Sequence, residues 1–326
     1  MKTFRTTMPA HQAPFGIAHT DQLLLVGSCF TEHIGHRLEA GKFRTLTNPN
    51  GIVYNPVSIA RSLTNLQNAG SDSKNAVFEF QGLWHSWDHH GRFSHPDRET
   101  ALQNLATTHT HAADFLKKTN RLLLTLGTAD VFVLRETGQV VANNHKVPAD
   151  RFEQRHLSVA ETVDALANAL LPLHTVAPDL RVVLTVSPVR HLRAGFVDNQ
   201  RSKAVLTLAC AELCQRLDFV HYFPAYELML DDLRDYRFYA ADMIHPSDTA
   251  VDYIWQYFAE AFFSPQTQHL LERISKITAA ARHRPFHPDS PEHRAFAAQQ
   301  LAYLEQLCAE YQGLDFSEEI KVFSQV

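Results

Sequence analysis

The 326-residue sequence predicts an α/β protein: a three-layer α/β/α sandwich on a mostly parallel sheet of about five strands, followed by a C-terminal helical extension. Three observations lead there. Short apolar runs begin near Leu23, Leu122, Arg181 and Val220, and each has strand length but is too short for a core helix. Helical segments lie between those runs, and such alternation builds parallel sheets covered on both faces. From Ser264 the strand runs stop and the chain turns helical and rich in Gln, Ala and Glu. Residues 1–263 are therefore read as the α/β domain and 264–326 as the helical extension.

Composition narrows the function classes. With 45% hydrophobic and 20% charged residues the chain can build a full core. A net charge of −5 and the lack of a basic run argue against a nucleic-acid partner. The four cysteines, Cys29, Cys210, Cys214 and Cys308, are not a disulfide framework at this length. Met1 to Gly16 has no apolar leader and no stretch spans a membrane, so a cytoplasmic protein is expected. The 20 histidines allow a metal or pH-linked role, with surface placement the simpler account of most.

Taken in order, Met1 to Ala18 is an aperiodic lead-in. Leu23-Leu24-Leu25-Val26 is the first buried strand, Gly27 punctuates it, and Ser28 and Cys29 follow as adjacent nucleophiles. A helix runs from about Glu32 to Ala40. A strand, a tight turn bearing a nucleophile and a helix form a recurring catalytic device, because the helix N-terminus offers free N–H groups and positive potential. A thiol gains most from it, since that potential is expected to lower its pKa. Asn48 to Pro56 is a shaped loop before a helix from Pro56 to Asn68. Phe78 to His90 is dense in aromatics and imidazoles, Trp87 and His89 among them. It reads as a substrate pocket or lid, as a structural aromatic cluster, or as a metal site of His85, His89, His90 and His95 with Asp88.

Arg98 to Lys118 is a helix, and Leu122 to Leu126 a buried strand ending at Gly127. Val131 to Val141 resembles a hairpin that delivers the polar residues Asn143-Asn144-His145-Lys146. Ser158 to Leu171 is a helix opened by a Ser158/Glu161 capping box. Arg181 to Pro188 is a third strand whose tip carries Ser187, Arg190 and His191, at the strand edge where α/β sheets place ligands. Ser202 to Leu217 is a helix and Val220 to Pro224 a short strand. The loop Asp242-Met243-Ile244-His245-Pro246 sets a carboxylate three residues from an imidazole, close enough to orient it. Ala250 to Phe263 closes the domain. Leu270 to Ala281 and Pro291 to Tyr311 form the helical tail, which could cover the body, act as a lid or join a homodimer.

Gly27-Ser28-Cys29-Phe30 and Asp242-Met243-Ile244-His245-Pro246 together resemble the GSCFA family, a branch related to the SGNH (GDSL-like) hydrolases. Ser187 to His191, Ser202-Lys203-Ala204 and Tyr236 to Tyr239 resemble the same family, over roughly Leu23 to Phe258. The resemblance implies a flavodoxin-like α/β fold and acyl chemistry through a nucleophile with a His245–Asp242 pair. It also implies a loop glycine whose N–H joins the oxyanion hole, at Gly51, with Asn50 or Asn55 as side-chain donors. Set without a gap against the superfamily's Gly-Asp-Ser-Phe, Cys29 falls on the nucleophile, and Ser28 remains the alternative. The superfamily's Gly-x-Asn-Asp is here Gly127-Thr128-Ala129-Asp130, so Ala129 replaces an oxyanion donor and Thr128, Asn144 or His145 must substitute. The expected function is an acyl-ester or thioester hydrolase or an acyltransferase acting on a small-molecule acyl substrate, without cofactor or metal. A non-catalytic ligand-binding protein and a metal-dependent hydrolase using Trp84 to His95 stay open beside it.

Overall fold

A computed structural model describes residues 6–9, 11–68 and 77–325. Residues 1–5 and 10 of the lead-in lie outside the described residues.

Five parallel strands form the central sheet: β1 (Gln22–Gly27), β2 (Arg44–Thr47), β5 (Arg121–Leu126), β9 (Arg181–Val186) and β10 (Val220–Tyr222). Their spatial order is β10-β9-β5-β1-β2. Leu24 pairs with Leu122, Leu122 with Val182 and Val182 with Val220, so one apolar row crosses four strands. The strands read as continuous apolar runs because helices bury both faces. Leu24 and Val26 pack with Ile59, Leu63, Leu166 and Leu206, from α2 (Pro56–Gln67), α4 (Val159–Val176) and α5 (Phe196–Arg216). Leu23 and Leu25 face the other way, onto Phe30, Ile34, Ile254 and Phe258 of α1 (Cys29–Ala40) and α7 (Asp248–Phe262). The expected sandwich and its strand count are therefore observed. The fifth strand, β2, carries no apolar run in the sequence.

From β1 the chain moves outward to β2, then crosses back to β5, β9 and β10 on the opposite side. Loops leaving the C-terminal ends of β1 and β5 thus diverge and open a crevice, the place where open α/β sheets bind ligands.

Around this frame lie the hairpin β3 (Phe78–Phe80) and β4 (Leu83–His85), and α3 (Arg98–Leu116). A separate antiparallel sheet, ordered β7-β6-β8, combines β6 (Asp130–Leu134), β7 (Val140–Val141) and β8 (Phe152–His156). The capping box is present: Glu161 N–H donates to Ser158 Oγ at 3.1 Å and Ser158 N–H to Glu161 Oε2 at 2.8 Å. The short helix α6 (Ala225–Glu227) runs on into a π-turn at Leu228–Leu233. Beyond α7, α8 (Pro265–Arg282), α9 (Pro291–Glu310) and α10 (Ser317–Ser324) build their own apolar cluster around Ile274, Ile277, Leu304 and Phe316. Lys42 reaches Glu319 at 2.8 Å and ties α10 to the segment after α1. Among the described residues no helix is long and apolar enough to cross a membrane.

One position fixes the turn between β1 and α1. Gly27 has φ +154°, and a Cβ there would run into the Thr125 carbonyl oxygen and stand 2.8 Å from the Thr125 nitrogen and Thr31 Oγ1. Both the dihedral and the contacts demand glycine. Gly27→Ala is expected to cost on the order of 3 kcal/mol or more, read by urea unfolding. A change below about 1 kcal/mol would mean that the turn tolerates a side chain.

Candidate active site

The site begins at the turn that Gly27 permits. Gly27 N–H donates to Asn48 Oδ1 at 2.8 Å, Ser28 N–H to Thr125 O at 3.2 Å, and Val53 N–H to Gly27 O at 3.0 Å. The chain is thereby held at the sheet edge. Ser28 is the N-cap of α1 in extended conformation, φ −69° and ψ 176°, and its side chain does not cap the helix. It is fully buried, and its Oγ has no hydrogen-bond partner. Cys29 is the first residue of the helix, partly exposed, and lines a cavity of about 440 Å³. The helix therefore starts three residues earlier than the expected Glu32, which sets the thiol inside its first turn. An α-helix leaves its first N–H groups without internal partners, so those of Cys29 and Phe30 are available to an incoming oxygen.

Burial pushes the Cys29 thiol above its ordinary value, against the expectation of a lowered pKa. The N–H groups of Cys29 and Phe30 and the Lys203 ammonium pull the other way, and Glu32 adds to the rise. Desolvation of the thiolate outweighs the helix terminus here.

The Asp-x-x-His loop supplies the second wall. His245 lines the same cavity as Cys29. Its Nδ1 lies 2.6 Å from Asp242 Oδ2, and Asp242 Oδ1 accepts the N–H groups of Ile244 at 2.9 Å and His245 at 3.0 Å. These bonds, the His245 N–H foremost, hold the Asp242 carboxyl down at about 2. The loop is shaped by Met243 at φ +59°, by Ala240 N–H on His245 O at 2.7 Å and by Arg190 N–H on Ile244 O at 3.2 Å. With Nδ1 engaged by the carboxylate, Nε2 is the ring nitrogen left for another partner.

A third group was missing from the sequence-derived candidates. Along one face of α5, Asn199, Ser202 and Lys203 are all buried, and each grips a strand-end loop. Asn199 Oδ1 accepts the His191 N–H at 2.9 Å, and Ser202 Oγ accepts the Ala129 N–H at 2.6 Å. Lys203 Nζ donates to Gly127 O and Ser187 O, both at 2.7 Å, clamping the ends of β5 and β9 together. The signal available was three polar residues at i, i+3 and i+4 on a helix otherwise facing the core.

Burial lowers the Lys203 ammonium to about 7. Between that value and the ordinary 10.5 the unfolded chain holds a proton that the folded chain lacks, so this group makes stability rise with pH across the window. Lys203→Met is expected to cost on the order of 3 kcal/mol by orphaning two buried carbonyls, and to flatten that rise. Urea unfolding at a series of pH values checks both. An unchanged slope would mean that Lys203 keeps its ordinary value when buried.

The remaining sequence candidates divide. Thr128, Asn144 and Arg190 line the cavity, as do Asn55, Asn143, His191 and Tyr54. The Thr128 hydroxyl bonds to Asp130 and Ser202, and its N–H to Tyr54 O. The amide of Asn55 caps α2 through the Ser58 N–H. Gly51, Asn50, His145, Trp87, His89 and Ser187 lie outside the lining. Gly51 N–H is spent on Asn48 O at 2.8 Å, and Asn50 Nδ2 on Ser62 Oγ at 2.9 Å. His145 bonds to Ser86 O at 2.7 Å within an aromatic group that includes Trp87, stacked on Phe78 at 3.6 Å. Ser187 is fully buried, and its Oγ accepts the Val189 N–H at 3.3 Å. In the Trp84 to His95 stretch, His85 bonds to Ser94 and Phe80, and His89 to Ser86. Among the described residues no three His, Cys, Asp or Glu side chains come together as a metal site. His191, which the sequence sets at the strand tip beside Arg190, is among the lining residues. Desolvation holds its imidazole neutral, down at about 3, and its buried Nε2 has no partner.

A comparison with curated proteins finds no match. The model of the GSCFA family matches residues 22–258, from β1 through most of α7, and so spans every cavity residue named above. A second model, the C-terminal domain of GSCFA domain proteins, matches residues 274–325. The family and the α/β fold are compatible with an enzyme. With most of its length matched in these two segments, the chain belongs to the GSCFA family.

Proposed function

We propose that the protein is an acyl-transfer enzyme, an ester or thioester hydrolase or an acyltransferase related to the SGNH hydrolases, with Cys29 as nucleophile. One observation carries the reading: Cys29, at the start of a helix, and His245, bonded to a carboxylate, line one cavity at the sheet's C-terminal edge. In the first half-reaction His245 Nε2 takes the Cys29 proton as Sγ attacks the acyl carbonyl carbon. The carbonyl electron pair moves to oxygen, where the N–H groups of Cys29 and Phe30 receive it. Collapse breaks the bond to the leaving group, which takes the proton from His245. In the second half-reaction water or another acceptor gives its proton to His245 and attacks the thioester, restoring the thiol. Asp242 fixes the imidazole tautomer and offsets its charge. A thioester intermediate suits a site whose Asn-for-Ala129 donor is missing, because a thiol depends less on oxyanion help than a hydroxyl. The partial exposure of Cys29 beside a fully buried Ser28 also favours the thiol.

The test is a rapid-mixing assay with p-nitrophenyl acetate and an activated acyl thioester. A burst of leaving group equal to the enzyme concentration, followed by a slower steady rate, is the expected result. Turnover with no burst and no adduct under any acceptor concentration would contradict a covalent intermediate.

A further inference from the structure

The same cavity carries two guanidinium groups that the mechanism does not use. Arg190 and Arg193 both line it, and neither meets a carboxylate among the described residues. Each is braced by aromatic rings rather than by an acid. Arg190 lies over the Tyr239 ring at 4.0 Å and near that of Tyr236 at 5.1 Å, touches the Tyr239 hydroxyl, and donates a long hydrogen bond to Met243 O at 3.4 Å. Arg193 lies over Phe132 at 5.1 Å, and Phe132 itself lines the cavity. Stacking on a ring face leaves the N–H edges of a guanidinium free, and a planar fork of donors matches a carboxylate or phosphate. The one carboxylate of the lining, Asp130, is committed elsewhere: it bonds to His156 Nδ1 at 2.7 Å and to the Thr128 hydroxyl. Asn143, Asn144 and Gln154 add neutral amides. The chain as a whole has more acidic than basic residues, 35 against 30, so two unpaired arginines in one cavity run against its average.

We propose that the substrate of this site carries an anionic oxygen group, a carboxylate or a phosphate, held by Arg190 and Arg193 while its acyl carbon lies at Cys29. This rests on the acyl-transfer reading above and adds the chemical class of the substrate. A fixed anion at the cavity mouth orients the carbonyl and selects against neutral acyl compounds.

The test reads charge preference at the thiol without requiring turnover. The protein is alkylated with iodoacetate, which is anionic, or with iodoacetamide, which is neutral and of similar size, and modification of Cys29 is followed by peptide mass spectrometry. The iodoacetate-to-iodoacetamide rate ratio at Cys29 is expected to exceed that of a short unstructured cysteine peptide by about tenfold, the scale of one charge-assisted contact. Arg193→Gln lowers the ratio several-fold, and Arg190→Gln with Arg193→Gln returns it to the peptide's. A wild-type ratio equal to the peptide's, or one the substitutions leave unchanged, overturns the proposal. Protection of Cys29 from iodoacetamide by succinate or by inorganic phosphate then names the group, and protection by neither overturns it as well. If Cys29 resists both reagents, calorimetric titration of succinate and phosphate decides: binding that the double substitution removes upholds the proposal, and no binding refutes it. Charge preference without any acylation would refute the acyl-transfer reading alone.

Discussion

Cys29→Ala is expected to remove turnover and acyl-enzyme together, with kcat falling by about 10⁴-fold or more. The side chain stands in the first turn of α1 and opens on the cavity, and no neighbour duplicates it. Ser28→Ala should keep a measurable fraction of the wild-type rate, since Ser28 is fully enclosed and its Oγ faces no ligand space. Cys29→Ser should be far weaker than wild type, because His245 must then activate a hydroxyl whose pKa lies well above a thiol's. The raised thiol adds a pH signature. Because burial raises the thiol, the rate of iodoacetamide alkylation should go on climbing past the ordinary thiol value of 9.0. A plateau below that value would point to a preformed thiolate. Full activity in Cys29→Ala and none in Ser28→Ala would move the nucleophile to Ser28.

The second large effect is expected in the dyad. His245→Ala should lower kcat by about 10²–10⁴-fold, the range for a general base and acid. Asp242→Asn should fall in the same range while leaving the fold intact. An asparagine can still accept the Ile244 and His245 N–H groups through its oxygen, but its NH₂ facing His245 Nδ1 favours the wrong tautomer. The size of the kcat loss separates the two roles. In His245→Ala the group that moves the proton is gone, whereas in Asp242→Asn it is present but turned, so the loss should be larger in His245→Ala. A rate unchanged in both variants would exclude the pair from the chemistry, whatever its geometry.

What the sequence disclosed follows from physics that acts locally. Four of the five sheet strands announce themselves because strands buried on both faces must be apolar throughout, as in Leu23 to Val26 and Leu122 to Leu126. β2 escapes because Arg-Thr-Leu-Thr is polar, short and half-exposed at the sheet edge. The Asp242–His245 bond was legible because three residues of spacing suffice to form it. Oxyanion donors were less so. Whether the N–H of Gly51 faces a ligand depends on Asn48 O, and whether Thr128 is free depends on Ser202, 74 residues away. The clamp at Lys203 was least visible of all. A lysine on a helix reads as solvated, and its acceptors, Gly127 O and Ser187 O, are backbone atoms brought together by the strand order alone. The thiol's raised pKa has the same origin, because the helix start is written in the sequence and the burial around it is not.

The central claim is that Cys29 becomes acylated, and locating the adduct tests it most directly. The protein is exposed to activated acyl esters and thioesters, quenched in acid, digested and mapped by mass spectrometry. One acyl group is expected on the peptide containing Cys29, labile to hydroxylamine as a thioester is, and missing from Cys29→Ala. An acyl group on Ser28 with Cys29 unmodified, or no adduct anywhere while substrate is turned over, would contradict it.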